Sequence, residues 1–436
     1  MKKKNHKKTI KKPKIKIKFS GKKLTSNAGL VPVSKFINQL GLPQLLDRYL
    51  TVERGDNVQY STSSAIIITL LGIAAGAKHL SHMVILKADT VIRKLLNWVD
   101  FPHESTLGRI FKRFNYQNVV EFSKVEDRVR RRVWNRKWVG KVTLDADSSV
   151  RGVYGNQEGA EKGYNPRKRG QKSYHPLLCF IAENRECLHH WFRDGSAYTS
   201  NGSTLFISEC LARLPKRVWK VFFRADSGFF DGKLLDLLED RFCQYLIKVN
   251  LKNLENLLSR QVWRKRGDFE TTEFQHQCAD WKRARRFVAV RKLIRVETEG
   301  RLFPLYEYKY FCYVTNLYIS PMAIHRCYGK RSTSENWIEI VKNQVYAGTI
   351  LTNKFWANST LFAISVLVYN IMVWMRWLTD KISWREEVNT FRFWFIHIPA
   401  KLVSSGRTLH LILPKGYFWK ERWERIYQGL EALEFT

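Results

Sequence analysis

Acidic residues are scarce in this sequence of 436 residues, which has 39 Asp and Glu against 75 Lys and Arg. The resulting formal charge of +36 is spread along the chain and far exceeds what solubility requires. This excess of cations predicts a polyanionic partner. Hydrophobic residues make up 44% of the sequence and aromatic residues 14%, which is enough to fill buried cores and excludes a disordered basic protein.

Paired cysteines are also missing from the sequence. The seven cysteines are odd in number, widely scattered and never spaced as C-x-x-C, a pattern that predicts buried thiols in a reducing cytosol. The neighbouring His189 and His190 lie far from any cysteine ligand pattern. We therefore expect both histidines to be structural.

Apolar segments that would target or anchor the chain in a membrane are few. Met1 to Lys23 is a lysine run without an apolar core, so we expect no signal peptide. The run Leu361 to Leu378 reaches spanning length, but Tyr369, Asn370 and Arg376 interrupt it. These polar residues favour a buried helix over a membrane span, and the predicted location is the cytoplasm.

The first part of the sequence divides into a basic arm and a helical region. Residues 1 to 25 form a lysine-rich arm that should lie along a phosphate backbone, with a merely solvated tail as the alternative. Over residues 26 to 137 the apolar residues recur at helical spacing, which predicts an all-helical domain. The cations of one segment make this the predicted DNA-binding domain. Its segment Ser105 to Phe114, with a Ser or Thr cap, suits a helix lying on DNA, although ordinary surface helices carry the same pattern. The cations of this segment are Arg109, Lys112 and Arg113.

The pattern changes from helical to strand-like at residue 138. Residues 138 to 249 read as three strands, a helix, a strand, a helix and another strand, which is the order of a ribonuclease-H-like α/β core. Several β-rich segments in residues 250 to 320 indicate an insertion in that core. Residues 321 to 380 would complete the core with the helix that carries Glu335, and residues 381 to 436 would form a C-terminal region.

Acids follow two of the predicted strands. Asp145 and Asp147 end the first strand and, being two residues apart, point to the same face of it. Asp226 ends another apolar strand, and for any single acid of this kind a cap or turn is the alternative. Because sites assemble at the carboxyl ends of strands in open α/β sheets, we expect these acids and Glu335 to converge on hard cations. Two Mg²⁺ or Mn²⁺ ions held in this way activate a water or a 3′ hydroxyl for attack on phosphate.

The segment YGKRSTSENWIEIVK, from Tyr328 to Lys342, surrounds one acid with cations. Its pattern predicts a helix whose first turn carries Glu335 and whose same face carries Lys342. An alternative is a capping box, because Ser332 and Glu335 have the S-x-x-E spacing. Glu339 is the rival for the role of the functional acid.

Three blocks of the sequence, LDADSS, RADSGF and Y-x2-R-x3-E-x6-K, resemble the motifs of the DDE transposases of bacterial insertion sequences. The glycine-studded loop GNQEGAEKGYNPRKRGQKSYHPLL is similar to that of the subgroup called transposase DDE group 1. The resemblance runs from about residue 20 to the C-terminus. It implies a ribonuclease-H-like catalytic domain with a β-rich insertion before the last acid, and cut-and-paste movement of the encoding element by a protein dimer.

The resemblance also implies roles for particular residues. Asp147, Asp226 and Glu335 would bind the metal ions, and the cations of the basic loop would grip the DNA backbone near the bound transposon end. For that loop, a hairpin with solvated charges is the alternative. The residues that would position phosphates are Tyr328, Arg331 and Lys342, and those of the basic loop are Arg167, Lys168, Arg169 and Lys172.

The doubled acid in the first block departs from the family pattern and leaves Asp145 as the alternative first ligand. We expect Asp147 to bind the metal, because it lies where the chain leaves the sheet. Asp145 should support it from one step further inside, paired with a cation such as Lys141 or a loop arginine.

The predicted function is that of a DNA transposase of a bacterial cytoplasm, which cleaves the ends of its element and joins them to target DNA. Two alternatives stay open. A domesticated relative would bind DNA without cutting it, and a metal-dependent nuclease of the same fold would hydrolyse DNA without joining it.

Overall fold

The computed structural model describes residues 15–19, 21–55, 58–163, 165, 168–296 and 305–435, which form a mixed α/β fold around one large sheet. Helices dominate the first part of the chain and the C-terminal part. Their bounds are α1 Leu30–Gln39, α2 Leu42–Tyr49, α3 Thr62–Ala74, α4 Val84–Ala88, α5 Thr90–Leu95, α6 Glu104–Phe111, α7 Tyr116–Arg136, α8 Ser203–Arg213, α9 Gly232–Asp240, α10 Leu254–Ser259, α11 Pro321–Gly329, α12 Ser332–Asn343, α13 Phe355–Thr379, α14 Val388–Phe391 and α15 Lys420–Glu431.

The strands lie mostly in the middle of the chain, where valine, phenylalanine and tyrosine alternate with polar residues. Their bounds are β1 Leu24–Thr25, β2 Lys141–Ser148, β3 Arg151–Gly152, β4 Glu161–Lys162, β5 Lys172–Tyr174, β6 Leu177–Ile181, β7 Cys187–Trp191, β8 Lys220–Ala225, β9 Gln244–Lys248, β10 Arg264–Arg266, β11 Phe269–His276, β12 Arg285–Val296, β13 Leu305–Thr315, β14 Ala400–Ser405 and β15 Thr408–Ile412.

The large sheet has the strand order β10-β11-β12-β13-β9-β8-β2-β6-β7. Its centre is parallel, since β2 pairs with β8 and β8 with β9 in the same direction. On one side β6 runs antiparallel to β2, and β7 runs antiparallel to β6. The elements predicted for residues 138 to 249 are all present in the predicted order, with the short strands β3, β4 and β5 placed between β2 and β6 as a separate small sheet.

The strands within residues 250 to 320 continue the large sheet on its other side. β13 runs antiparallel to β9, and Tyr313 pairs with Lys248, the last residue of β9. The part of β13 before Tyr313 therefore extends past the carboxyl end of β9, and β12 accompanies it over ten paired positions. The hairpin of β12 and β13 thus projects from the edge of the sheet at which β2 and β8 also end.

Residues between Leu30 and Arg136 form α1 to α7, as the helical spacing predicts. Side chains cap several of these helices: the Ser61 hydroxyl accepts a hydrogen bond from the Ser64 amide at 3.0 Å at the start of α3. The predicted Ser or Thr cap of α6 is wrong. His103, which has an extended backbone, caps the helix instead, because its ring nitrogen accepts from the Ser105 amide at 3.3 Å.

Helix α13 contains the long apolar run for which the sequence favoured a buried core helix over a membrane span. It is long and apolar enough to cross a bilayer, but 94% of its most apolar window is buried inside the protein. The polar side chains that interrupt it have protein partners: Asn370 bonds both the amide and the carbonyl of Cys187 on β7, at 2.8 and 2.9 Å, and Arg376 donates to the Met372 carbonyl at 2.9 Å. These bonds confirm the interpretation of α13 as a core helix.

The C-terminal residues pack on the rest of the fold. β1 pairs with β14, and β15 completes a three-stranded sheet, so an early and a late segment of the chain meet there. After α14 a short π-helical turn, Arg392–Ile396, carries Arg392 inward. Its guanidinium donates to the carbonyls of Ala74 at 2.9 Å and Ile73 at 3.2 Å, which fixes the C-terminal region against the end of α3.

Candidate functional site

Two of the predicted acids meet at one edge of the large sheet. The odd-numbered face of β2 carries Asp145 and Asp147, while Val142, Leu144 and Ala146 fill the opposite face. Asp226 directly follows β8, the parallel neighbour of β2, and its carboxylate accepts the Gly228 amide at 3.0 Å. Because both strands end at the same edge, their acids share one cleft, as predicted.

The cleft has a volume of about 860 Å³ and is open to solvent. Its walls come from the ends of β2 and β8, from α12, from the small sheet and from the segment between α12 and α13. The lining includes His79, Asp147, Arg151, Tyr154, Gln157, Lys168, His175, Asp226, Glu335, Glu339 and Lys342. All three acids of the predicted triad therefore face the same space, and Glu339, the rival acid, lies there as well.

Helix α12 positions Glu335 in its first turn, as predicted. The capping-box alternative is wrong, because Arg331 occupies the N-cap position without a side-chain cap and the Ser332 hydroxyl instead donates to the Gly329 carbonyl at 3.0 Å. No cap is needed here, since α11 runs almost directly into α12 and the Ser334 amide bonds the Arg331 carbonyl at 2.8 Å. The Glu335 side chain, 65% exposed, remains available to the cleft.

Arg331 joins the strand end to the helix. A guanidinium nitrogen lies 2.7 Å from a carboxylate oxygen of Asp147, and another lies 3.7 Å from Glu335. The side chain is only 7% exposed, and its Nε atom has no hydrogen-bond partner among the residues that the structure describes. A buried cation with an unused donor is a ready site for a further anionic group.

Burial shifts the acid–base properties of this part of the cleft. It raises the pKa of Asp147 to about 6, with Arg331 opposing the rise and the negative charge of Asp226 adding to it. Burial likewise raises the pKa of Tyr328 to about 12. Burial alone would lower the pKa of the Arg331 guanidinium, but the negative charges around it, Asp147 foremost, together raise that pKa above its ordinary value. The negative charge of Asp226 beside Asp147 favours a bound cation between the two carboxylates.

Asp145 has a different environment from Asp147. It is fully buried, and Arg224 on β8 holds it through two hydrogen bonds of 2.8 and 2.7 Å. The prediction of Lys141 or a loop arginine as its partner is wrong: Lys141 lies over the Trp219 ring, 4.8 Å from its centroid. Arg224 is the partner because the two residues stand directly opposite each other in the register of β2 and β8.

Arg224 also reaches the helical side of the site. It donates to the Cys327 carbonyl of α11 at 3.0 Å. A single buried side chain therefore ties β2, β8 and the helix pair α11 and α12 together, next to Asp147, Asp226 and Glu335.

The chemistry of the acids fits a hard divalent cation, since Mg²⁺ and Mn²⁺ bind carboxylate oxygens. Asp147, Asp226 and Glu335 supply three such groups to one cleft. Within the described ranges, no three His, Cys, Asp or Glu side chains lie close enough together to form a metal site as they stand. The Arg331 guanidinium takes the place of a cation beside Asp147.

The basic loop forms part of the cleft wall. Its strands β3, β5 and β4 pair with one another, and Lys168 reaches the cleft, where its ammonium donates to the Tyr154 hydroxyl at 3.1 Å. Arg169 is exposed, and Lys172 donates to the Asn156 side chain at 2.9 Å. Arg167 lies outside the described residues.

The remaining predicted DNA contacts are spread over two places. Lys342 lines the cleft on α12. On and after α6, Arg109, Lys112 and Arg113 are exposed, away from the cleft lining. His189 and His190 point to structural partners, as expected: the His189 ring is 2.7 Å from Glu209 and that of His190 is 3.3 Å from Glu126.

The sequence interpretation missed several residues of this site. Arg224 carried a signal, since it precedes Asp226 by two residues just as Asp145 precedes Asp147. Arg151, which binds the Gly348 carbonyl at 3.1 Å, and His79, from the helical part of the chain, line the cleft without any local pattern to indicate it.

Comparison with known proteins identifies the class. A family model described as transposase DDE domain group 1 matches residues 7–435, nearly the whole chain. The chain is therefore a transposase of the DDE class. It belongs to the group 1 family of transposase DDE domains, as the sequence motifs indicated.

Among solved structures, the chain is similar to a cryo-EM structure of the piggyBac transposase synaptic complex with hairpin DNA. The identity is 11% and the TM-score 0.44, over 84% of this chain and 79% of that one. It is also similar to the Mos1 transposase paired-end complex with left transposon end, with 13% identity and a TM-score of 0.18, over 44% of this chain and 60% of that one. TM-scores of this size carry no argument about the present chain. No curated protein matches the sequence.

Proposed function

We propose that this protein binds the ends of the DNA element that encodes it, cleaves the strands there and joins the 3′ ends to target DNA. The observation that carries the proposal is the cleft in which Asp147, Asp226 and Glu335 lie with Arg331 and Lys342. Carboxylates beside cations are the groups that phosphoryl transfer needs, one set for metal ions and the other for phosphates.

The proposed catalytic unit is a ribonuclease-H-like core with a β-rich insertion. The order β7-β6-β2-β8-β9, with β6 antiparallel and β8 and β9 parallel to β2, supports it. In this core the acids of neighbouring parallel strands face the helix that carries the third acid. The preceding helices, with Arg109, Lys112 and Arg113 exposed, would form the DNA-binding part.

Asp147, Asp226 and Glu335 would hold the divalent ions. Bound there, Mg²⁺ or Mn²⁺ would activate the attacking oxygen and stabilise the leaving oxygen. Arg331 would exchange its contact with Asp147 for a phosphate oxygen, using the Nε donor that has no partner within the described part of the chain. Tyr328 is half-buried beside these groups, and its raised pKa keeps the hydroxyl protonated as a hydrogen-bond donor.

DNA outside the cleft would meet the basic loop and the basic arm. Lys168, at the cleft wall, and Arg169 and Lys172, further out on the loop, would contact the backbone of the bound end, together with Arg167. The chain would act as a homodimer on the two ends, in a bacterial cytoplasm and bound to DNA.

The proposal is tested with a plasmid that carries a marker between the two DNA segments flanking the gene. Purified protein and Mg²⁺ should release the marker and insert it into a second plasmid, and EDTA should prevent both steps. Binding without cleavage under all metal conditions would favour the domesticated alternative. Cleavage without joined products would favour the nuclease.

A further inference from the structure

The projecting hairpin of β12 and β13 carries a row of exposed aromatic rings that the proposed reaction does not use. Tyr306, Tyr308 and Tyr310 are 59%, 39% and 37% exposed and alternate along β13, so they lie on one face of the sheet. Trp263 precedes β10 and its ring lies 5.9 Å from that of Tyr310. We call this set of four residues the aromatic face.

The aromatic face is on the side of the sheet that faces away from the catalytic acids. In the pairing of strands, Asp145 stands opposite Arg224, Arg224 opposite Leu246 and Leu246 opposite Thr315. Thr315 and every second residue before it, including Lys309, therefore point to the same side as the acids. Tyr308 and Tyr310 alternate with these residues and point to the other side.

The aromatic face is rigidly built. The Arg291 guanidinium lies between two rings, 4.3 Å from the centroid of Trp263 and 4.1 Å from that of Tyr308. Glu270 holds the same guanidinium at 2.6 Å. Since the carboxylate neutralises Arg291, this cation orders the rings without adding net charge to the face.

Two further cations flank the rings. Lys265 stands opposite Glu270 in the sheet, and Arg295 stands opposite Tyr306, so both lie on the aromatic face, and both are exposed. The charges of Arg291 and Glu270 cancel each other, so Lys265 and Arg295 leave a net positive charge on this surface. An anionic partner with flat apolar groups fits these rings and cations.

We propose that the aromatic face binds single-stranded DNA, with unpaired bases stacked on Tyr308 and Tyr310 and phosphates paired with Lys265 and Arg295. Sheet surfaces with exposed aromatic rings bind unpaired strands in this way, because every base offers a face for stacking and a duplex hides it. The site is separate from the proposed catalytic cleft and does not require cleavage activity.

The test measures binding of the full chain to a fluorescent 20-base oligo-dT and to a duplex of equal length, by anisotropy in EDTA. The variant Tyr308→Ala/Tyr310→Ala should bind the single strand at least tenfold more weakly, since each lost stack lowers affinity about fivefold or more, and should bind the duplex as the wild type does. Tyr308→Phe/Tyr310→Phe keeps the rings and should retain the affinity. Tyr198→Ala, which removes an exposed tyrosine elsewhere, is the matched control.

Cross-linking gives a second measurement on the unmutated chain. A single strand that contains 5-bromouracil should cross-link, on irradiation, to the peptide that carries Tyr308 and Tyr310. Unchanged affinity of the alanine variant, equal losses for single strand and duplex, or cross-links confined to other peptides would each overturn the proposal.

Discussion

The guanidinium of Arg331 lies 2.7 Å from the carboxylate of Asp147, so a cation of the chain stands beside an acid proposed to bind metal. Arg331 and a metal ion would compete for that carboxylate. Loading of the metal and capture of a DNA phosphate by Arg331 should therefore favour each other.

The first prediction concerns Arg331 and Lys342. Replacing either with alanine should leave Mn²⁺ binding measurable without DNA, and Arg331→Ala should bind the ion at least as tightly as the wild type, because its competitor is gone. Both variants should bind or cleave element ends about tenfold to a hundredfold less well, because a loss of this size is typical when a hydrogen bond to a charged group is removed.

Electron paramagnetic resonance of Mn²⁺ and a cleavage assay make these two measurements separately. Lys330→Ala, which removes an exposed charge next to Arg331, serves as the control. Loss of Mn²⁺ binding in Arg331→Ala would mean that the arginine supports the metal site and does not compete with it.

The second prediction separates the two neighbouring acids. Asp147→Asn should abolish metal-dependent cleavage. Asp145→Asn should reduce cleavage about tenfold to a hundredfold. It should also lower the free energy of unfolding by about 3 kcal/mol, because it leaves the buried Arg224 without its charged partner. Urea unfolding and cleavage are measured on both variants, and an inactive but fully stable Asp145→Asn would make Asp145 the metal ligand.

The third prediction is a pH dependence of stability. Burial lowers the pKa of His189 from 6.5 to about 3, so the folded protein keeps this ring neutral while the unfolded chain protonates it below pH 6.5. The free energy of unfolding therefore keeps its full value, as far as His189 is concerned, above pH 6.5, and it falls as the pH drops toward 3. At pH 5 the loss is about 2 kcal/mol.

His189→Gln should remove this component. The free energy of unfolding, measured at pH 7 and pH 5, should fall less in the variant than in the wild type by about that amount. Equal falls in the two proteins would mean that the ring is already protonated in the fold, in a charged pair with Glu209.

The fourth prediction concerns the basic arm, of which the structure describes only the final part. Deleting residues 2 to 23 should weaken DNA binding and flatten the dependence of log K on log salt, because fewer counterions are released. Titrations between 50 and 300 mM salt measure the slope. An unchanged slope would identify the arm as a passive tail.

Much of the catalytic edge could be predicted from the sequence, because local patterns determine it. The sequence shows each of its three elements as a regular pattern of apolar residues with a polar residue at one end. These elements are the strand with Asp147 near its end, the strand before Asp226 and the helix with Glu335 in its first turn. The partner of Asp145 could not be predicted, since it depends on the register of two strands that are distant in the chain.

Other features also depend on tertiary contacts. His79 enters the cleft from the helical part of the chain. Helix α12 begins at Arg331 without a side-chain cap, because α11 directly precedes it. The hairpin of β12 and β13 was predicted as β-rich, but its continuation of the large sheet follows from the pairing of β13 with β9.

The most direct test of the proposed active site compares three acids in one strand-cleavage assay on DNA with the element ends and Mg²⁺. Asp226→Ala and Glu335→Ala should each abolish cleavage while binding to the ends remains within about threefold of the wild type, since they remove metal ligands and leave the phosphate contacts. Glu339→Ala, in the same cleft and on the same helix, should cleave normally. Cleavage by Glu335→Ala together with an inactive Glu339→Ala, or binding lost in step with cleavage, would contradict the assignment.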